Sequence, residues 1–281
     1  MASTDALPLM PLGARDIPGC MALSVEANWN QTPDDWTLFL DRGTVLGLPD
    51  TNGRPVATGA ILPYDTFAWI GMVLVTAARR RARIGTRILE TCCTELTQRG
   101  LVAALDATPA GEQVYRPLGF EPLFGLTRWQ GTGGGGRAGM PPGIRPMHQG
   151  DLAAVAATDS LVFGAPRSFL LDNFFRRVPH LAFMAESGDG FAMARTGRLA
   201  TQIGPIVATD EAAAAALLEC ALDAAAGLVF LDLCDRWNGL VRLLERRAFT
   251  VQRPFLRMAL RHRVPFGDAA RTFAIAGPEF G

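Results

Sequence analysis

Four arginines fall within five positions, Arg79, Arg80, Arg81 and Arg83, and Gly85 and Thr86 follow closely. Before the cluster runs the apolar stretch WIGMVLV, residues 69–75. Its length and β-branched content read as a strand buried on both faces. After the cluster, Ile84, Ile88 and Leu89 recur on one helical face. The first N–H groups of a helix lack intrahelical partners, and the helix dipole adds partial positive charge at that end. Arginines and a glycine at such a junction make a site for phosphate oxygens. A solvated basic turn is the competing reading; the strand-to-helix position favours the anion site.

The surrounding elements follow from pattern. Asp16, Ile17 and Pro18 open a helix that continues through Ala22, Leu23 and Val25. A second helix starts at Asp34 and Asp35, carries Trp36, Leu38 and Phe39, and ends near Gly43. Residues 44–48 and 55–62 read as strands joined by the Asn52-Gly53 hairpin turn. Arg99 and Gly100 close the helix that follows the arginines. Then come a strand over 101–107, a short helix over 112–118 stopped by Gly119, and a final strand over 120–129.

Residues 131–143, GTGGGGRAGMPPG, have the composition of a linker. They divide the chain into 1–130 and 144–281. The second part repeats the first in weakened form: a strand and helix start at 144–152, a hairpin around Gly188, Asp189 and Gly190, a strand over 202–207, and a helix capped by Asp210. The arginine loop has no counterpart there, because Asp210 and Glu211 stand at the helix start and repel phosphate. The terminal segment 274–281 is too apolar for a free tail and is expected to dock.

The stretch from the buried strand through Thr86 resembles the acetyl-CoA motif of the GNAT N-acetyltransferase superfamily, a strand followed by (Gln/Arg)-x-x-Gly-x-(Gly/Ala). Arg80 fills the first position and Gly85 the last; Arg83 stands at the middle glycine. An arginine serves there if its backbone keeps negative φ and its side chain points outward. Tyr115 through Gly119 and Phe120 match a second family feature, Tyr-x-x-x-Gly-Phe. The resemblance implies an α/β (α+β) chain of two tandem GNAT-like domains, each a mixed, mostly antiparallel sheet flanked by helices. It implies a catalytic first domain, a linker, and a degenerate second domain packed as a pseudo-dimer within the chain.

It also implies acetyl transfer from acetyl-CoA to the amine of a small acceptor. Backbone N–H groups at Val73, Leu74 and Val75 polarise the thioester carbonyl. Arg80, Arg81, Ala82, Arg83, Ile84, Gly85 and Thr86 hold the pyrophosphate. Tyr115 donates a proton to the leaving thiolate. Asp106, at the end of the next strand, is the candidate base, with Glu26 and Asp65 as rivals and a water chain as another route. An acyl-CoA-binding regulatory module with little turnover is the alternative.

Composition narrows the field. The 281 residues are 49% hydrophobic and 19% charged, a globular balance. Lys+Arg and Asp+Glu each total 27, which gives no case for nucleic acid. Five cysteines without a repeated CxxC argue against a disulfide framework and a zinc site, so no metal is expected. No stretch has the length of a membrane span, and a reducing, cytoplasmic setting is expected. A nucleotide-binding loop of the Gly-Lys-(Ser/Thr) type is missing.

Overall fold

The computed structural model describes residues 8–135 and 139–281. Packing divides them into two units. The first ends at Leu105 and includes Phe280; the second runs from Asp106 to Glu279 and includes Gly281. Within the expected linker, residues 136–138 lie outside the described residues.

In the first unit, β1 (Met10–Pro11) leads to α1 (Ile17–Glu26) and α2 (Pro33–Arg42). Pro33 sits in the first turn of α2, where its missing N–H costs nothing. Thr32 and Asp35 cap that helix reciprocally: the Thr32 N–H donates to Asp35 Oδ2 at 2.8 Å, and the Asp35 N–H donates to Thr32 Oγ1 at 3.4 Å. Trp36, fully buried, donates from Nε1 to Ser24 Oγ at 3.1 Å and ties α2 to α1.

Next come β2 (Thr44–Pro49), β3 (Pro55–Pro63), β4 (Phe67–Val75), α3 (Ile84–Gln98) and β5 (Val102–Ala107), whose last two residues belong to the second unit. These strands lie in the order β1-β2-β3-β4-β5, antiparallel except for β4 with β5. α3 buries Ile84, Ile88, Leu89, Cys92 and Leu96 as one stripe against β3 and β4. Gly59 permits that approach, since a Cβ there would stand 2.3 Å from Ile88 Cγ2. Phe280 stacks on Phe39 at 5.2 Å between ring centroids, and its carbonyl accepts from Tyr64 Oη at 2.6 Å.

The second unit begins with α4 (Pro109–Tyr115), β6 (Phe120–Gly133), β7 (Ile144–Pro146), α5 (Leu152–Phe163) and α6 (Ser168–Arg177). It continues with β8 (Phe183–Ala185), β9 (Phe191–Arg195), β10 (Thr201–Val207) and α7 (Glu211–Ala224). β11 (Gly227–Cys234), α8 (Asn238–Arg246), β12 (Thr250–Leu260) and β13 (Thr272–Ala274) complete it. Asp210 caps α7 as expected, accepting from the Ala213 N–H at 2.9 Å.

The strand order is β12-β6-β11-β13-β10-β9-β8-β7. β6, which in sequence ends the first repeat, pairs antiparallel with β11 and β12 of the second unit. It runs on to Gly133, so the first three residues of the glycine-rich stretch are strand, paired with Val229, Leu228 and Gly227. The terminal segment docks as expected: Phe273, Ala274, Ile275, Ala276 and Phe280 are all buried. No helix among the described residues is long and apolar enough to cross a membrane.

Candidate functional site

The centre of the first unit is a break in β4. Its pairing with β3 slips between Thr58 and Ala60, whose partners are Leu74 and Gly71, and Met72 takes φ +55°. Such a bulge adds a residue to one strand and bends it. A left-handed Met costs about 1–2 kcal/mol. The buried Thr58 hydroxyl donates to the Met72 carbonyl at 2.9 Å and holds the bulge in place.

Beyond the bulge, the Thr76 N–H donates to the Val56 carbonyl at 2.9 Å. By alternation Leu74 also faces β3, and Val73 and Val75 face the opposite edge. The Val75 carbonyl agrees, since it accepts from Arg80 Nε at 3.3 Å rather than from β3. On that edge β4 pairs with β5 only over residues 67–69. Among the described residues no other strand pairs there. Val73 and Val75 therefore present N–H groups able to take an extended amide chain by strand-like bonding, or to polarise a carbonyl.

The loop continues this edge. A single turn, Ala77–Arg79, precedes Arg81 at φ +68° and Arg83 at φ +57°. The expectation of negative φ at Arg83 is corrected: the left-handed conformation that a glycine favours there is kept, and the arginine bears its cost. The side chain of Arg83 is exposed. α3 starts at Ile84 with no side-chain cap, so its first N–H groups are left to solvent or an anion. At Gly85 an ideal Cβ would meet only Val75 Cγ2, at 3.8 Å.

The two rival bases are placed differently from one another. Asp65 lies exposed in the turn before β4, at the far end of the strand from the loop. That is on the order of 30 Å away at about 3.3 Å per residue. The Glu26 carboxylate is taken up by the loop itself, accepting from the Ala77 N–H at 2.6 Å and from Thr76 Oγ1 at 2.8 Å.

Tyr115 and Asp106 belong to the second unit. Thr108, not Asp106, caps α4, its Oγ1 accepting from the Gly111 N–H at 3.2 Å. Asp106 is buried, and both its oxygens accept from Arg257, at 2.9 Å each. Burial pushes its carboxyl up, with Arg257 pulling against that. A carboxylate committed to a guanidinium is better placed to hold that arginine than to take a proton from an amine. The Tyr115 ring lies back along α4 over Gly111, where a Cβ would come within 2.9 Å of Tyr115 Cε2, and it meets Phe120 at 5.9 Å. Burial raises the Tyr115 hydroxyl above the ordinary tyrosine value, which keeps its proton on at neutral pH. That suits an acid.

Burial pushes the Cys20, Cys92 and Cys234 thiols up to about 12, far from a reactive thiolate. Among the described residues no three His, Cys, Asp or Glu side chains are grouped to hold a metal.

The second unit has an equivalent break with a different outcome. β10 pairs in parallel with β11 only over residues 201–203, and Gly204 follows at φ +138°. The gap beyond is filled by β13, with Ala274 opposite both Ile206 and Leu233. A Cβ on Gly204 would stand 1.9 Å from the Ile275 carbonyl oxygen. Trp237 fastens the insert, donating from Nε1 to the Thr272 carbonyl at 2.8 Å and stacking on Phe273 at 4.1 Å.

A bulged strand leading into a phosphate-type loop, repeated in degenerate form, is matched by comparison with known proteins. Residues 19–120 match the acetyltransferase (GNAT) family, and residues 155–274 match an acetyltransferase (GNAT) domain. The chain is a tandem GNAT acetyltransferase. Holothin acyltransferase of Pseudoalteromonas sp. is 26% identical over 247 residues, 86% of this chain and 82% of that protein. A solved Pyrococcus horikoshii structure classed with the acetyltransferases superposes with a TM-score of 0.79 at 21% identity, covering 98% of this chain and 95% of the other. A tandem GNAT protein from the clavulanic acid biosynthesis pathway superposes at 0.63 with 13% identity, over 90% of this chain and 97% of its own. At these identities the structural likenesses speak for the fold alone.

The sequence pattern singled out the arginine loop but not what shapes it. Thr58, the one hydroxyl between Ala57 and Leu62, was the available signal for the bulge. Glu26 reaches its partners across 50 and 51 residues of chain, and no local pattern announces that.

Proposed function

We propose that this enzyme transfers an acetyl group from acetyl-CoA to the amine of a small acceptor, using the first copy of the repeat. The unpaired edge of β4, continuous with an uncapped helix start, carries this reading. The pantetheine arm lies along β4, and the pyrophosphate meets the amides of residues 81–86, with Arg80 beside them. The neutral amine attacks the thioester carbonyl carbon, and the N–H groups of Val73 and Val75 take up the developing oxyanion. The C–S bond breaks, the thiolate takes its proton from Tyr115, the former amine nitrogen loses a proton to solvent, and solvent returns one to Tyr115. Asp106 serves by holding Arg257. The domains at work are residues 1–130 for catalysis and 144–281 as a degenerate partner without a donor site of its own.

The name of the Pseudoalteromonas relative supports acyl transfer and puts holothin first on a panel of acceptors. Calorimetry with CoA and a thiol-release assay with acetyl-CoA across an amine panel test the proposal together. One CoA per chain and amine-dependent thiol release are expected. Two equivalent CoA sites would refute the assignment to the first copy, and CoA binding with no release on any amine would leave a binding module.

A further inference from the structure

The loop that follows β4 is rooted in a residue from another helix. Glu26 is the last residue of α1, and the backbone there is fixed twice at Ser24. The Ser24 carbonyl accepts from the Trp29 N–H at 2.9 Å, and its hydroxyl accepts from buried Trp36 at 3.1 Å. From that firm base the exposed Glu26 side chain reaches the loop's first two residues with both oxygens, one on the Ala77 N–H at 2.6 Å and one on Thr76 Oγ1 at 2.8 Å.

Thr76 is thereby gripped from two sides, its N–H on the Val56 carbonyl and its hydroxyl on Glu26. Ala77 opens the turn whose next bond, from the Arg79 N–H to the Thr76 carbonyl at 2.9 Å, sets the direction of the arginines. The two left-handed residues come after this, at Arg81 and Arg83. Backbone held in such conformations needs surrounding structure to fix it. Few such ties are available downstream, where residues 80–83 are exposed.

We infer that Glu26 is a positioning residue for the acyl donor: its carboxylate clasps the root of the loop so that the amides of residues 81–86 are already arranged when the pyrophosphate arrives. This rests on the proposed CoA site. Both oxygens being engaged, Glu26 is not the group that deprotonates the acceptor. The same two bonds hold its carboxyl below the ordinary value, the Ala77 amide contributing most. It therefore stays ionised and keeps the clasp closed at neutral pH.

The test uses the full chain with E26A, E26Q and T76V, and CoA as the probe. Amide exchange over residues 76–83 without ligand reads the clasp directly, and it should quicken in E26A and less in T76V. CoA affinity should fall on the order of tenfold in E26A, the size expected for one charge-assisted bond. In steady state the loss should appear in the KM for acetyl-CoA more than in kcat. T76V removes a contact from the opposite side and keeps the inference testable if E26A folds poorly. Unchanged exchange, or faster exchange with wild-type CoA affinity, overturns the inference while the proposed function stands. A large fall in kcat for E26Q with unaltered CoA affinity also overturns it, making Glu26 the base. If the wild-type chain binds no CoA, the proposed function falls and the inference with it.

Discussion

Gly85→Ala should raise stability and leave CoA binding close to wild type. Gly85 is the second residue of α3, without positive φ, and the added methyl would touch only Val75 Cγ2 at 3.8 Å, an ordinary contact. Replacing glycine by alanine within a helix gains about 0.5–1 kcal/mol, mostly by removing conformational freedom from the unfolded chain. For a chain of this size that raises the melting temperature by roughly 1–4 °C. That methyl lies toward Val75 Cγ2, and Gly85 fills the position of the motif that takes glycine or alanine, so the pyrophosphate should still reach the first amides of the helix. Losing one charge-assisted bond would cost about 1.5–3 kcal/mol and weaken CoA binding on the order of 10- to 100-fold, so a change well under tenfold is expected. Thermal melts without ligand and CoA titrations on the same preparation give both numbers. A fall in CoA affinity of about tenfold or more in a protein of equal or higher stability would refute the assignment of Gly85 to the (Gly/Ala) position of the motif. A lowered melting temperature would instead show that the space around Gly85 is tighter than 3.8 Å implies.

Tyr115→Phe should lower turnover by on the order of 10²–10⁴ with CoA affinity kept; unchanged turnover would leave Tyr115 a packing residue. An acid must carry its proton, so activity is lost as pH rises through the Tyr115 value; because burial raises that value, no alkaline loss from Tyr115 should appear below about pH 10. Gly111→Ala should displace the tyrosine ring and reduce kcat, and the Gly111→Ala, Tyr115→Phe double variant should be no worse than Tyr115→Phe alone, as measured by a double-mutant cycle. Asp106→Asn breaks a buried pair and should cost about 3–5 kcal/mol, read as a fall in melting temperature of roughly 6–20 °C; an unchanged melt with lost turnover would make Asp106 the base after all.

Local chemistry was readable from the chain, and distant pairing was not. The strand before the arginines, the start of α2, the Gly119 stop and the Asp210 cap each rest on a few consecutive residues. Arg83 is the instructive case. A motif glycine signals backbone at positive φ, and the reading assumed that an arginine in its place would avoid that region. The backbone kept φ +57° and the side chain adapted, so the conformation belongs to the loop and not to the residue filling it. Asp106 pairs with an arginine 151 residues away, and β6 finds its partners in β11 and β12. Neither leaves a periodic trace, because pairings at that separation are decided by the assembled sheet.

The two copies show one structural difficulty met in two ways. A strand that bulges and parts from its parallel neighbour leaves N–H and C=O groups along an edge, and such groups need partners. In the second unit the chain supplies them: β13 enters between β10 and β11 and bonds to both. Gly204 is what lets it sit so close, since any side chain there would strike the Ile275 carbonyl. In the first unit the corresponding position is Met72, the bulge is held from the β3 side by Thr58, and no strand among the described residues takes the other edge. The repeat has therefore conserved the parting of strands and varied what fills it. Filled by the chain's own backbone, the gap is part of the core. Left unpaired beside a basic loop and an uncapped helix, it suits a ligand that brings amides for the strand edge and phosphates for the loop, and the pantetheine arm and pyrophosphate of CoA carry both.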